Sequence, residues 1–337
     1  MTKQETVRAL IGDRLQPKNS RAEAFAPVNI ALCKYWGKRN EELNLPMNGS
    51  LSVSLGRLGT RTRLSITEGG DEVILNGRKL AQEESFARRV SAYLDLFRPP
   101  NAGFRIETEN TIPTGAGLAS SASGFAALAM ALNRLFGWEL DGRALSILAR
   151  LGSGSAARSV FTGFVEWFAG ERKDGLDSYA APLSIEWPEL RIGAVVLSAV
   201  AKPIGSTAGM KQTVRTSLFY RLWPQRAEND LAELKRAIAA RDFQLLGTIA
   251  EANALAMHAT MIDSRPPVFY WLPETISAFQ TVWRLRQDGV GIYFTIDAGA
   301  NVKLLFLAHN LNVVRAAFPQ AEIIEPFASI EIGKEQP

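Results

Sequence analysis

Apolar residues recur along this chain with two periods. Residues 24–33 form a continuous apolar run, while 50–55 and 61–67 alternate apolar and polar, as strands with one covered face do. Asn76-Gly77, a favoured two-residue hairpin turn, follows a short strand at 72–75, so this region predicts antiparallel sheet. Helical spacing appears at 83–97, stopped by Pro99-Pro100, and a strand at 103–108 follows. A buried helix is predicted at 125–136, and Asp141 can cap another whose Leu145, Leu148 and Leu151 recur at three before Gly152. Strands are predicted at 164–168, 192–198, 292–295 and 302–307, and helices at 227–241, 243–261 and 274–287. Strands with helices on one side imply an α+β fold, and the second half has the alternation of a split βαβ sandwich.

Residues 1–22 are polar, carry at most a short helix ending near Leu15, and read as a surface appendage. A polar stretch at 171–190 with two prolines marks a boundary near Pro188, giving domains of 23–188 and 189–337.

The 337 residues suffice for two domains, and 47% hydrophobic content supplies their cores. No apolar run approaches the roughly 18 residues of a membrane span, and the first twenty residues lack a secretion-signal layout, so a cytoplasmic protein with no membrane partner is expected. One cysteine, Cys33, rules out an internal disulfide, and two histidines offer little for a zinc site. A net charge of +4 suits an anionic substrate, and the basic residues are too scattered for a nucleic-acid surface.

The chemistry concentrates in PTGAGLASSASG, from Pro113 to Gly124. A glycine-rich loop feeding a helix start gathers unpaired N–H groups and the positive end of the helix dipole, and Ser120, Ser121 and Ser123 add hydroxyls: a phosphate site. Close packing of a helix on a sheet would need the same small residues. The run is neither a Walker loop, because Gly37-Lys38 precedes Arg39, nor a Rossmann loop, because Ser120 stands where a third glycine is required. It resembles the phosphate loop of the GHMP small-molecule kinases, PxxxGLxSSxS, at Pro113, Gly117, Leu118, Ser120, Ser121 and Ser123.

Four further polar loops, at 34–50, 152–159, 202–209 and 297–301, each have a plain structural explanation alone. Together they supply the parts phosphoryl transfer needs: donors for a nucleotide, cations for the transferring charge and a carboxylate for the attacking hydroxyl. Asp297, at a strand end, is the candidate carboxylate, Lys34 a neighbour able to keep it ionised, and Arg158 a planar fork for a carboxylate or phosphate. His258 reads as a core or supporting histidine.

The segments APVNIALCKYWGK, NGSLSVSL, IPTGAGLASSASG, ARLGSGSAARS, GFVEW, STAGMKQTV, NALAMHATM and FTIDAGAN occur in that order. This series resembles the diphosphomevalonate decarboxylase family of the GHMP superfamily, from about Ala26 to Asn301. The resemblance implies the GHMP kinase fold, an S5-like N-terminal domain joined to a ferredoxin-like C-terminal one. It also implies ATP-dependent decarboxylation of mevalonate 5-diphosphate to isopentenyl diphosphate through phosphorylation of the 3-hydroxyl. By matching motifs, Asp297, Lys34 and Arg158 are catalytic, and Tyr35, Lys38, Ser153, Ser155, Arg158 and Ser206 bind substrate. Gly115, Gly117, Leu118, Ala119, Ser120, Ser121 and Ser123 take ATP, with Ser121 a ligand of Mg²⁺. Ferredoxin-like domains often pair, so a homodimer is expected. Phe161-Thr162-Gly163, Arg215 and Thr207 depart from the family pattern, Thr207 standing where some bacterial members carry a phosphate-binding arginine. Phosphomevalonate decarboxylase, a kinase acting on a mevalonate derivative and a silent isoprenoid-precursor sensor are the alternatives.

Overall fold

The computed structural model describes residues 1–111, 120–200 and 202–328, Ser120 by its backbone alone. Two long strands organise the first half. Arg21–Cys33 runs antiparallel to Ser50–Glu68 from Arg21 opposite Ser65 to Cys33 opposite Leu51, with register shifts at Pro27/Asn29 and Ala31/Cys33. Gly59 permits the close approach at the first shift: a Cβ there would lie 2.2 Å from the Ala26 carbonyl oxygen. Ser50–Glu68 also pairs with Phe164–Trp167 through its first residues and with Ala102–Asn110 through its last. Ala180–Pro182 and the hairpin Glu72–Leu75/Arg78–Lys79 complete a seven-stranded sheet. The hairpin turn has positive φ at both Asn76 (48°) and Gly77 (77°), the conformation its sequence predicts. Of these pairings, Glu72–Leu75 on Ala102–Asn110 is parallel.

A second, fully antiparallel sheet orders Ile292–Ile296, Val302–Leu307, Leu190–Val195 and Glu322–Ile324. Helices pack on both sheets; on the second, Phe294 and Leu304 meet Phe279 and Val282 of helix Pro273–Gln287, while Ile192 and Leu305 belong to the core on the opposite face. Ser120–Phe136 packs on the two long strands, and Gly142–Gly152 beside it starts where Asp141 accepts from the Ala144 N–H at 2.8 Å. Trp223–Ala240 and Phe243–Ile262 pack on each other and reach both sheets, the second beginning where Asp242 caps Leu245 at 3.0 Å. Their side chains join Ile30, Leu32, Leu51 and Val53 of the first sheet to Ile192 and Leu305 of the second in one continuous core.

Four expectations change. Residues 1–22 are no appendage: Lys3–Ile11 is a helix with a Thr2/Glu5 capping box, and Val7 and Ile11, each 1% exposed, enter the core formed with Phe97, Trp138 and Leu135. The strands expected at 50–55 and 61–67 are one strand that bends without breaking. The small-residue segment 152–159 is a buried 3₁₀ helix, Gly154–Val160, and helix Ser206–Thr216 begins inside the loop expected at 202–209. Among the described residues no helix is long and apolar enough to cross a membrane.

If the first helix is part of the core, Ile11→Ala lowers the unfolding free energy by about 2–5 kcal/mol, the cost of a large-to-small change at a buried site. Urea denaturation measures this, and a surface appendage would give no change.

Candidate active site

The long strand Arg21–Cys33 delivers Lys34 to the wall of a cavity of about 370 Å³ that lies between the two sheets. Lys34 is buried, and its Nζ donates to the Ala31 carbonyl at 2.7 Å and to Asp297 Oδ1 at 2.8 Å. Asp297 follows strand Ile292–Ile296 directly, so the second sheet fixes its backbone, while its side chain, 42% exposed, opens into the cavity. Lys303, from the adjoining strand, places its Nζ 3.5 Å from Asp297 Oδ2. Burial alone would raise the Asp297 pKa, but Lys34, Lys303 and Lys202 outweigh it and hold the carboxyl well below its usual range. Burial pushes the Lys34 ammonium down, and Asp297 partly offsets this.

His258 Nε2 lies 3.1 Å from the Asp297 carbonyl oxygen, and since a carbonyl only accepts, Nε2 carries the proton. The ring packs against Trp271 at 5.0 Å. Burial lowers its pKa to about 3, so it is neutral and supports the Asp297 backbone. This agrees with the supporting role expected for it.

Arg158 lies on the 3₁₀ helix Gly154–Val160 and is buried. Its guanidinium donates to Ser50 Oγ, and to Asn29 Oδ1 at 3.3 Å through both Nε and Nη2. Among the described residues no carboxylate forms a salt bridge with it, though Asp297 acts on it at longer range. Burial brings its pKa down to about 10, so it stays charged at neutral pH and faces the cavity without a counterion in contact. A buried, unneutralised guanidinium is costly, and an anionic ligand would relieve that cost.

Tyr35, Lys38, Ser153, Ser155 and Ser206 all line the same cavity. The Tyr35 ring stands edge-on to Trp167 at 4.8 Å, and its hydroxyl is buried with no hydrogen-bond partner among the described residues. Gly154 makes room for it: a Cβ there would come within 2.8 Å of the Tyr35 hydroxyl oxygen. Lys38 Nζ donates to Asn44 Oδ1 at 2.6 Å, and Asn44 in turn donates to the Arg150 carbonyl at 2.9 Å. Arg150 itself is fully buried and donates to the carbonyls of Leu43, Gly175 and Ser178; Leu43 lies in the turn of a small hairpin, Lys38–Asn40 paired with Leu45–Pro46, that replaces the loop expected there and carries Lys38. Ser206 opens helix Ser206–Thr216, and Gly205, Ser206 and Thr207 at its start line the cavity.

Of the predicted nucleotide residues, Gly115, Gly117, Leu118 and Ala119 lie outside the described residues, as does the side chain of Ser120. Ser121 lines the cavity. Ser123 does not: it is fully buried, with its hydroxyl 2.7 Å from Thr60 Oγ1. Two positions along a helix rotate a side chain by about 200°, so Ser121 and Ser123 face opposite ways. Ser123 thus makes a helix-to-sheet contact.

Sequence reasoning passed over Lys303, Lys202, Arg89 and Asn29. Lys202 and Arg89 line the cavity. A lysine inside the otherwise apolar strand Val302–Leu307, and an asparagine inside an apolar run at Asn29, were the available signals. Asp297 is the cavity's one acidic side chain among the described residues, against Lys34, Lys38, Arg89, Arg158 and Lys202.

An α+β fold of these two sheets, with cations and a strand-end carboxylate gathered between them, is the GHMP kinase-type fold. Within that class, residues 26–180 match the model of the diphosphomevalonate decarboxylase-like N-terminal domain and 193–335 that of the mevalonate 5-diphosphate decarboxylase C-terminal domain. The chain belongs to the diphosphomevalonate decarboxylase family. Diphosphomevalonate decarboxylase of Bos taurus is 40% identical over 328 residues, covering 87% of this chain and 80% of its own. Mevalonate diphosphate decarboxylase from Staphylococcus aureus superposes with a TM-score of 0.86 at 39% identity, covering 92% and 96% of the two chains. MDDEF in complex with MVAPP, AMPPCP and magnesium gives 0.86 at 40% identity, covering 90% and 96%.

The buried neutral His258 makes stability pH-dependent with a definite sign. Its folded pKa is depressed from 6.5 to about 3, so the unfolded state binds the extra proton and stability is lost as pH falls from about 6.5 towards 3. Thermal unfolding at pH 7 and pH 5 should therefore show a smaller loss of Tm for His258→Gln than for the unaltered protein.

Proposed function

We propose that the cavity between the two sheets carries out ATP-dependent decarboxylation of mevalonate 5-diphosphate to isopentenyl diphosphate. The observation that carries this reading is the pairing of Asp297 with buried Lys34 beside an Arg158 that has no carboxylate in contact. Family membership, and the MVAPP, AMPPCP and magnesium bound by MDDEF, support it.

In this reading Asp297 accepts a hydrogen bond from the 3-hydroxyl and orients its oxygen towards the γ-phosphorus, while Lys34 keeps the carboxylate charged and rigid. The oxygen–phosphorus bond forms as the bond to ADP breaks, and the hydroxyl proton passes to Asp297, which gives it up to solvent. Hydroxide is a poor leaving group and phosphate a good one. Departure of phosphate from C3 then draws the electron pair of the carboxylate's C–C bond into the new double bond, releasing CO₂. Arg158 holds the substrate carboxylate until that bond breaks. Tyr35, Lys38, Ser153, Ser155 and Ser206 hold the diphosphate tail.

No cluster of three metal-ligating side chains exists among the described residues. Ser121, which lines the cavity, fits Mg²⁺, since that ion takes most of its ligands from phosphate oxygens and water and one protein hydroxyl would suffice to hold it. Magnesium would neutralise charge on the transferring phosphates. ATP, as a co-substrate, is held at the start of helix Ser120–Phe136 and by Gly115, Gly117, Leu118, Ala119 and Ser120. The protein is placed in the cytoplasm as a homodimer, with exposed Leu218, Phe219 and Leu222 offering apolar surface to a second copy.

Asp297→Asn should lower turnover by ~10²–10⁴-fold with little change in nucleotide affinity. Near-normal turnover would remove Asp297 from the chemistry. ATP-dependent CO₂ release, measured in parallel with mevalonate, its 5-phosphate and its 5-diphosphate, should favour the 5-diphosphate by at least ~10²-fold in kcat/KM, since each lost charge-assisted phosphate contact costs ~1.5–3 kcal/mol. Equal activity on the monophosphate would mean that the pocket near Thr207 has been rebuilt for it. ADP release without CO₂ would indicate a kinase, and no ADP from any of the three a binding protein.

A further inference from the structure

Lys303 is a second buried lysine at Asp297, and the reaction outlined above gives it no role. It projects from strand Val302–Leu307, directly paired with Ile292–Ile296, whose end carries Asp297. Its Nζ donates to the Asn301 carbonyl at 3.1 Å and stands 3.5 Å from Asp297 Oδ2, while Lys34 holds Oδ1 at 2.8 Å. Each carboxylate oxygen thus faces its own ammonium group.

One lysine already neutralises one aspartate. A second buried ammonium with no acid of its own leaves a local surplus of positive charge, which is costly in an unliganded protein. The surplus matters when phosphates arrive. A polyphosphate docking beside Asp297 repels its negative charge and favours the protonated carboxylic acid. A protonated Asp297 cannot accept the hydrogen bond that orients the hydroxyl.

We propose that Lys303 is a positioning residue whose charge keeps Asp297 ionised while substrate and nucleotide phosphates occupy the cavity. In the empty site Lys34 and Lys202 share this task with Lys303, and in the occupied one the charge of Lys303 supplies the reserve. The groups that act on Asp297 from the surrounding elements are Lys34 at the end of the long strand, Lys303 on the adjoining strand, Lys202 before helix Ser206–Thr216, Arg158 on the 3₁₀ helix and His258 on helix Phe243–Ile262. His258 stays neutral throughout, so the balance is set by the four cations. Lys303 does not line the 370 Å³ cavity; it lines an adjoining one of about 530 Å³ that shares Asp297 and Lys202 with it.

This inference rests on the decarboxylase reading. The test is the pH dependence of kcat and of kcat/KM for ATP-dependent CO₂ release from mevalonate 5-diphosphate by unaltered protein, Lys303→Met, Lys303→Gln and Lys303→Arg. Loss of the charge should move the acid limb of kcat, which reports the occupied enzyme, upwards by about one pH unit or more. The acid limb of kcat/KM, which reports the free enzyme, should move less, and Lys303→Arg should restore both. Lys303→Gln keeps a donor for the Asn301 carbonyl and tests the same shift should Lys303→Met fail to fold. An acid limb of kcat that stays in place in a folded neutral variant, whatever happens to the plateau, overturns the proposal. So does failure of both neutral variants to fold, which would make Lys303 a structural residue. Absence of CO₂ release by unaltered protein would instead overturn the decarboxylase reading, and the two failures are thereby distinct.

Discussion

The contact between Lys34 and Asp297 is the point on which the two halves of the molecule meet. One residue ends a strand of the seven-stranded sheet and the other ends a strand of the four-stranded sheet, so the 2.8 Å separation requires both sheets to be in register with each other. Hydrogen bonds through the intervening helices enforce that register. The Lys34 N–H donates to Asn253 Oδ1 at 2.8 Å, and Asn253 donates to Asp230 at 2.8 Å, which Arg226 also holds. A buried pair broken on one side typically costs ~3–5 kcal/mol, because the remaining charge is stranded. The same contact that fixes the Asp297 carboxylate is therefore also a constraint on how the sheets sit.

Charge in the cavity is deliberately unbalanced. Arg158 has hydrogen bonds to neutral Ser50 and Asn29 where an acid could have stood, and Tyr35 keeps an unmade hydrogen bond. Neither arrangement is favourable for an empty protein. An anion entering beside Arg158 would relieve the first cost, so part of its binding free energy would return as stability of the folded chain.

Much of this was legible in the sequence. Helices with a complete apolar face and a capping aspartate, such as those after Asp141 and Asp242, lie within a few residues of where their period places them. Asn76-Gly77 has only one inexpensive backbone solution. The legible chemistry was equally local: Asp297 at a strand end and Lys34 at another are visible in their own segments. What was not legible depended on distant partners. The helix Lys3–Ile11 looks polar until Phe97 and Trp138 cover its narrow apolar stripe. Gly154–Val160 is too rich in glycine and serine to suggest a helix, yet packing against Tyr35 and Trp167 requires small residues there. Lys303 could be seen as anomalous, but only the strand pairing shows that it points at Asp297.

The continuous core beneath both sheets also has a consequence for synthesis of the chain. Ile30, Leu32, Leu51 and Val53 are complete strand residues by the time the first sheet has left the ribosome, but their covering side chains, including Trp223, Leu234, Met257 and Met261, are encoded some two hundred positions later. The nascent first half must wait with an apolar sheet face uncovered, and it is in that interval that a chaperone would have most to hold.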